Sequence, residues 1–240
     1  MPYFAPSSGV TVTLESLGWD QIISPAGTQV WSGVAYASSI PLFVAVAQSG
    51  GGSNERVMTS PSGDDNSWSV GTLSSAHMWR GVAWSPDLNL FAAVSESPSA
   101  IYTSPDGVTW TQRTESTFLK FTGIAWSPTV GRFVAVANGN TLNTMYSDDG
   151  ENWITGSIGV ASNWSAISWS DDLEIFVAVN SSGVASRWSR DGLTWLSAGV
   201  PGASARHALA YAGDDVGAFV SVGVGGVASV QRSCGTISVA

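Results

Sequence analysis

The sequence predicts an all-β fold, a five-bladed β-propeller of four-stranded antiparallel blades. Two observations predict it: a motif that recurs five times at a spacing of about 43 residues, and a turn of the form Ser-x-Asp-Gly-x-x-Trp that closes successive repeats. The composition agrees: of 240 residues, 44% are hydrophobic and only 11% charged, with 27 Gly and 12 Trp. Turn formers and large aromatics at low charge suit short strands around one continuous core. One domain over 1–240 follows, with an N-terminal arm at 1–16, a closing outer strand at 17–23, and repeats starting near 31, 79, 121, 164 and 206.

The first strand of each repeat is an aromatic or polar residue, a variable residue, Gly or Ala, and a short apolar run. Its copies are Trp31-Ser32-Gly33-Val34-Ala35-Tyr36, Trp79-Arg80-Gly81-Val82-Ala83-Trp84, Phe121-Thr122-Gly123-Ile124-Ala125-Trp126, Trp164-Ser165-Ala166-Ile167-Ser168-Trp169 and Arg206-His207-Ala208-Leu209-Ala210-Tyr211. The spacing is 42 or 43 residues except for a first interval of 48. That interval is assigned to the Gly-rich stretch Ser49-Gly50-Gly51-Gly52-Ser53 and to extra residues around Ser62-Gly63, insertions that belong in loops.

The second strand reads Phe43-Val44-Ala45-Val46, and likewise Phe91-Ala92-Ala93-Val94, Phe133-Val134-Ala135-Val136, Phe176-Val177-Ala178-Val179 and Phe219-Val220-Ser221-Val222. Continuous apolar runs of this length fit strands buried on both faces. The third strand ends in the turns Ser104-Pro105-Asp106-Gly107-Val108-Thr109-Trp110, Ser147-Asp148-Asp149-Gly150-Glu151-Asn152-Trp153 and Ser189-Arg190-Asp191-Gly192-Leu193-Thr194-Trp195, with an expanded copy ending at Trp68. Asp-Gly supplies a residue that tolerates positive φ and a carboxylate that accepts from turn N–H groups. The Trp after each turn opens the fourth, outermost strand.

These turns closely resemble the Asp-box, or BNR repeat, of sialidase-like β-propellers, and the resemblance spans nearly the whole chain. In that family the box is a structural turn on the face opposite the usual active site. The resemblance therefore implies a folding role for Asp106, Asp149 and Asp191, and because the family's Arg-Ile-Pro motif is absent here, a non-catalytic chain is expected.

The fifth repeat has no box: Ser233-Cys234-Gly235 follows its third strand, and no Trp comes after. Residues 17–23 read as an isolated fourth strand, with Trp19 in the column of Trp68, Trp110, Trp153 and Trp195. Closure by pairing of this N-terminal strand with the C-terminal blade is expected, since it removes the exposed edges.

A net charge of −9 with a single lysine, Lys120, argues against a phosphate-binding surface. The start, Met1-Pro2-Tyr3-Phe4-Ala5-Pro6, reads without a signal peptide, and no apolar run reaches a membrane span. The lone Cys234 cannot form an intrachain disulfide. No nucleic-acid partner, membrane insertion, cofactor or metal is expected. His77 and His207 stand on different repeats without a ligand pattern and read as rim residues.

Carboxylates gather on the face of the Asp-Gly and first-to-second-strand turns: Asp64, Asp65, Asp87, Asp106, Asp148, Asp149, Asp171, Asp172, Asp191, Asp214 and Asp215. Arg56, Arg80, Arg113, Lys120 and Arg206 are expected in or beside the opposite loops, leaving that loop face neutral or locally positive. Aromatics at the starts of the first strands, Trp31, Trp79, Phe121 and Trp164, are placed near the channel mouth on the loop face. With Asn138, Asn140 and Asn180 they are candidate ligand-binding residues, because an indole can cover a sugar ring. Phe118, Leu119 and Arg56 are candidates for a protein-contact patch that breaks the fivefold pattern.

Three functional classes fit these residues. The repeats of the type Trp-Arg-Gly-Val-Ala-Trp-Ser resemble proteins of tailed bacteriophages, which implies a virion-associated structural or adhesion protein, a capsid decoration, tail or fibre component, displayed on the virion surface. Its partners would be other virion proteins or host-surface glycans. A lectin-like propeller is the alternative, with repeated pockets acting together. A sialidase-type glycoside hydrolase is the third, but it needs facing carboxylates for which Glu55, Glu96 and Glu115 are the only loop-face candidates.

Overall fold

The computed structural model describes residues 29–49, 56–72, 77–115, 119–139, 141–181, 186–198, 205–212, 218–224 and 229–232. These form five antiparallel sheets in chain order. The first holds β1 (Val30–Ala37), β2 (Leu42–Ser49), β3 (Val57–Ser60) and β4 (Ser69–Gly71); the second, β5 (Trp79–Ser85), β6 (Leu90–Ser95), β7 (Ala100–Ser104) and β8 (Thr111–Glu115). The third holds β9 (Lys120–Ser127), β10 (Arg132–Asn138), β11 (Thr144–Ser147) and β12 (Ile154–Gly156); the fourth, β13 (Trp164–Ser170), β14 (Ile175–Asn180), β15 (Ser186–Ser189) and β16 (Leu196–Ala198). The fifth has three described strands, β17 (Ala205–Ala212), β18 (Ala218–Val224) and β19 (Ser229–Arg232). The expected arm 1–16 and closing strand 17–23, with Trp19, lie outside the described residues, as does Cys234.

Within each sheet the strands pair in sequence order, as short hairpins dictate. First strands then pack on one another, β5 against β1, β9 against β5, β13 against β9 and β17 against β13. The core lies between sheets. Val44 and Val46 of the first meet Trp79, Trp84 and Phe91 of the second; Ala92, Val94 and Ile101 of the second meet Phe121, Trp126 and Phe133 of the third; Val134 and Val136 of the third meet Trp164, Ile167 and Phe176 of the fourth. At these three interfaces the later sheet contributes the large rings and the earlier one smaller apolar side chains, so aromatic and aliphatic residues alternate along the strands.

The first strands carry a β-bulge that the motif does not announce. The register slips between Trp31 and Gly33, Trp79 and Gly81, Trp164 and Ala166, and Arg206 and Ala208, and opposite Val136 and Ala137 in the third sheet. The extra residue is the variable one, at 32, 80, 122, 165 and 207. In the first three sheets glycine follows it where neighbouring first strands converge, and alanine takes its place in the last two: a Cβ on Gly33 would stand 3.1 Å from the Gly81 Cα, and one on Gly81 would stand 3.4 Å from the Gly123 Cα. At the bulge, the Ser32 hydroxyl lies 2.6 Å from Trp79 O in the next sheet and 3.1 Å from Val46 O in its own, and its one hydrogen is shared between the two carbonyls. Thr122 repeats this with Val136 O at 3.2 Å and Trp164 O at 2.8 Å. A hydroxyl here ties two sheets together.

The Asp-Gly turns are three copies of one hydrogen-bonded knot. Ser104 Oγ donates to Asp106 Oδ1 (2.9 Å) and accepts from Gly107 N–H (2.8 Å), Asp106 Oδ1 accepts from Val108 and Thr109 N–H (2.8 and 2.7 Å), and the Trp110 indole donates to Gly107 O (3.0 Å). The knots at Asp149 and Asp191 have the same bonds. The expanded copy keeps Gly63 N–H on Ser60 Oγ at 2.7 Å and the Trp68 indole on Gly63 O at 3.2 Å, with Ser62 where the others have Asp. Its extra residues therefore fall between Gly63 and Trp68, not around Ser62-Gly63 as expected.

Two other expectations change. Leu119 does not belong to an exposed patch: it is 2% exposed and packs in the cluster of Phe121 and Phe133, while Phe118 lies outside the described residues. Arg113, placed by sequence beside the loop face, extends from β8 to Glu151 of the next sheet's turn at 3.4 Å. Arg132 makes a firmer tie of that kind, donating to both oxygens of Asp148 (2.5 and 2.9 Å) and to Asp191 O (2.8 Å) in the following turn.

Candidate functional site

The bulge column explains why one corner of the loop face stands out. Where Ser32, Thr122 and Ser165 each spend a hydroxyl on a backbone carbonyl, the second sheet has Arg80. Its guanidinium cannot sit in that narrow bridge and extends to the rim. There it donates through Nε to Glu96 Oε2 at 2.7 Å, through a terminal nitrogen to the same oxygen, and through the other to the Gln48 side-chain oxygen. The Arg80 and Glu96 side chains are 31% and 20% exposed, so the pair stays within reach of a partner.

Glu96 is placed by the β6–β7 turn, whose backbone is fastened to the residue just before β5: Glu96 N–H donates to Met78 O (2.9 Å) and Met78 N–H to Ser97 O (2.7 Å). Gln48, near the end of β2, joins a second arginine, since Arg56 donates to Gln48 O at 2.8 Å and to His77 O at 2.6 Å. The Arg56 Nε–H is buried without a partner among the described residues. Arg80 thus holds the carboxylate of Glu96, Arg56 is tied to the Gln48 and His77 carbonyls beside it, and Lys120 at the start of β9 is exposed. The corner carries local positive charge in a chain of net charge −9.

The aromatic ligand candidates are corrected by burial. Trp79, Phe121 and Trp164 are 0% exposed and are inter-sheet packing, so none offers a ring face to a sugar. Trp31 is half-buried. Asn180 is buried and its amide donates to Ser162 Oγ at 2.7 Å; half-buried Asn138 bridges to Asn163; Asn140 lies outside the described residues. His77 is a buried ring between Trp79 and Tyr102, with centroids 5.1 and 5.4 Å away, not a rim residue. Of the hydrolase candidates, Glu96 is bound to Arg80 and Glu55 lies outside the described residues. No group of three His, Cys, Asp or Glu side chains suited to a metal occurs among the described residues.

The cluster of Arg80, Glu96 and Gln48 was the part that the motif concealed, because Arg80 occupies a position that reads as variable. Its signal was a long cation in a column that holds Ser32, Thr122 and Ser165, with His207 in the fifth copy.

No family model matches the chain, and no curated protein matches it. Solved structures do. A nidogen/laminin complex aligns with a TM-score of 0.65 at 13% identity, over 83% of this chain and 73% of that one. YCF48 bound to a D1 peptide aligns with a TM-score of 0.64 at 17% identity, over 91% and 67%. The fold is a β-propeller. Virginiamycin B lyase from Staphylococcus aureus is similar as well, with a TM-score of 0.66 at 10% identity over 85% of this chain and 70% of that one. A lyase and two binding complexes on one propeller framework leave the activity to the site itself.

Proposed function

We propose that this propeller is a non-enzymatic recognition protein whose loop face docks a carboxylate-bearing partner at the corner of Arg56, Arg80 and Glu96. It would act as a structural or adhesion component of a particle surface, the setting of the tailed-phage proteins that its repeats resemble. One observation carries the proposal: Arg80 stands at the place where Ser32 and Thr122 tie neighbouring sheets together, and reaches the rim instead. A residue that forgoes a folding bond and half-exposes a guanidinium serves recognition better than stability. In this account the Ser-x-Asp-Gly-x-x-Trp turns are Asp-boxes with a folding role, and residues 17–23 supply the fourth strand of a fifth blade.

The incoming carboxylate would take the guanidinium edge that Gln48 now occupies, or displace Glu96, in the paired geometry that favours arginine over lysine. The lectin alternative has less support, because three of its four ring platforms are packed away. An array of acidic peptides, acidic glycans and neutral glycans, probed with the full chain and with Arg80→Ser, tests the proposal. Carboxylate-bearing members should retain the wild-type chain and lose the variant. Retention by neutral glycans alone, or equal retention of both chains, contradicts it.

A further inference from the structure

We propose that the opposite, turn-side face carries a second binding site, a slot between the third and fourth sheets that takes the guanidinium of an arginine on a partner segment. The slot is open to solvent, has a volume of about 390 Å³ and is lined by Pro86, Trp126, Pro128, Ser168, Trp169 and Asp171. It forms where the first strands end. A serine ends the first strands of the second, third and fourth sheets, and in the second and third a proline follows, as Ser85-Pro86 and Ser127-Pro128; in the fourth sheet the same place holds Asp171 after Ser170.

That exchange sets the chemistry. The Trp169 indole donates to Asp171 Oδ1 at 2.7 Å, which holds the carboxylate at the slot, and Oδ2 accepts no hydrogen bond among the described residues. At the equivalent place in the second and third sheets, the Trp84 and Trp126 indoles have no partner among the described residues, so Asp171 is a departure from the repeat rather than part of it. Flat proline and indole walls beside an open carboxylate oxygen suit a planar, weakly hydrated cation, which stacks and donates at once. The surrounding charge has the same sign: Asp87, Asp172 and Glu174 stand on these turns, and the nearby cation, Arg132, is already held by Asp148. Asp172 is occupied by the Tyr211 hydroxyl at 2.8 Å, which leaves Asp171 as the acceptor inside the slot.

The test is calorimetric titration of the full chain with acetyl-Gly-Arg-Gly-amide and with its citrulline counterpart, which keeps the shape and lacks the charge. The arginine peptide should saturate the protein, the citrulline peptide should bind about fivefold more weakly or worse, and added salt should weaken the first more than the second. Asp171→Asn keeps a carbonyl oxygen for the Trp169 indole, so it should leave thermal unfolding in place and reduce arginine binding by a similar factor. Arg80→Ser, on the other face, should leave arginine binding unchanged, which separates this site from the loop-face one. Absence of saturation, equal binding of the two peptides, or a response to Arg80→Ser but not to a folded Asp171→Asn would overturn the proposal.

Discussion

Asp149 shows what a single turn residue does for this molecule. Hydrogen bonds from the Asn152 backbone and side chain and from Glu151 N–H hold its carboxyl well below the ordinary value of 3.8. Partial burial pushes Asp106 and Asp191 upward, but N–H donors at Thr109 and Val108, and at Thr194 and Leu193, outweigh it and leave both lowered. A lowered carboxyl in the folded state supplies stability that is complete above its ordinary pKa and drains as pH falls through the folded value. The melting temperature should therefore fall as pH drops below about 4, and a triple Asp→Asn variant at 106, 149 and 191 should show a shallower fall. An equal acid response in both would refute this linkage. The glycine beside each Asp is fixed by shape as well as by φ. Gly192 has φ +73°, and a Cβ there would lie 2.5 Å from Cγ2 of Val134, a buried, β-branched side chain with little freedom to move. Gly192→Ala should cost about 2 kcal/mol in denaturant unfolding.

Among the elements, the first strands carry both fold and function. Their bulge turns the variable residue toward the neighbouring sheet, and a hydroxyl there shares its one hydrogen between carbonyls of two sheets. Arg80→Ser restores that hydroxyl, so the variant should unfold at the same temperature as the wild-type chain or higher, by up to about 1 kcal/mol of added stability. A marked loss would mean that Arg80 is structural. The strands and Asp-Gly turns were legible in the sequence because short apolar runs and a positive-φ turn each leave a local mark. The bulge was not, since one extra residue per strand preserves the repeat length and shows only in pairing. Burial of Trp79, Phe121 and Trp164 was likewise hidden: an aromatic at a strand start looks the same whether it faces a channel or a neighbouring sheet, and only the packing of β5 on β1 and its counterparts decides. Leu119 was misplaced for a similar reason, as a lone apolar residue just before a strand joins the core when the strand's first ring is itself buried.

At the scale of the whole molecule, five sheets pack in chain order, and the last has three described strands. If residues 17–23 complete it, deletion of residues 1–23 should lower the melting temperature of the entire chain in one cooperative transition, because every sheet shares its core with a neighbour. Unchanged unfolding of that truncation would contradict closure. The two faces differ in charge, with carboxylates concentrated at the turns and Arg56, Arg80 and Lys120 on the loop side, so one framework presents two chemically distinct surfaces. The loop face is the one on which the functional account stands, and a paired measurement on wild type and Arg80→Ser tests it most directly: retention on carboxylate-bearing ligands, with thermal unfolding recorded on the same samples. The Arg80→Ser variant should keep or gain stability and lose retention. A variant that unfolds normally and is retained as well as the wild type would contradict it.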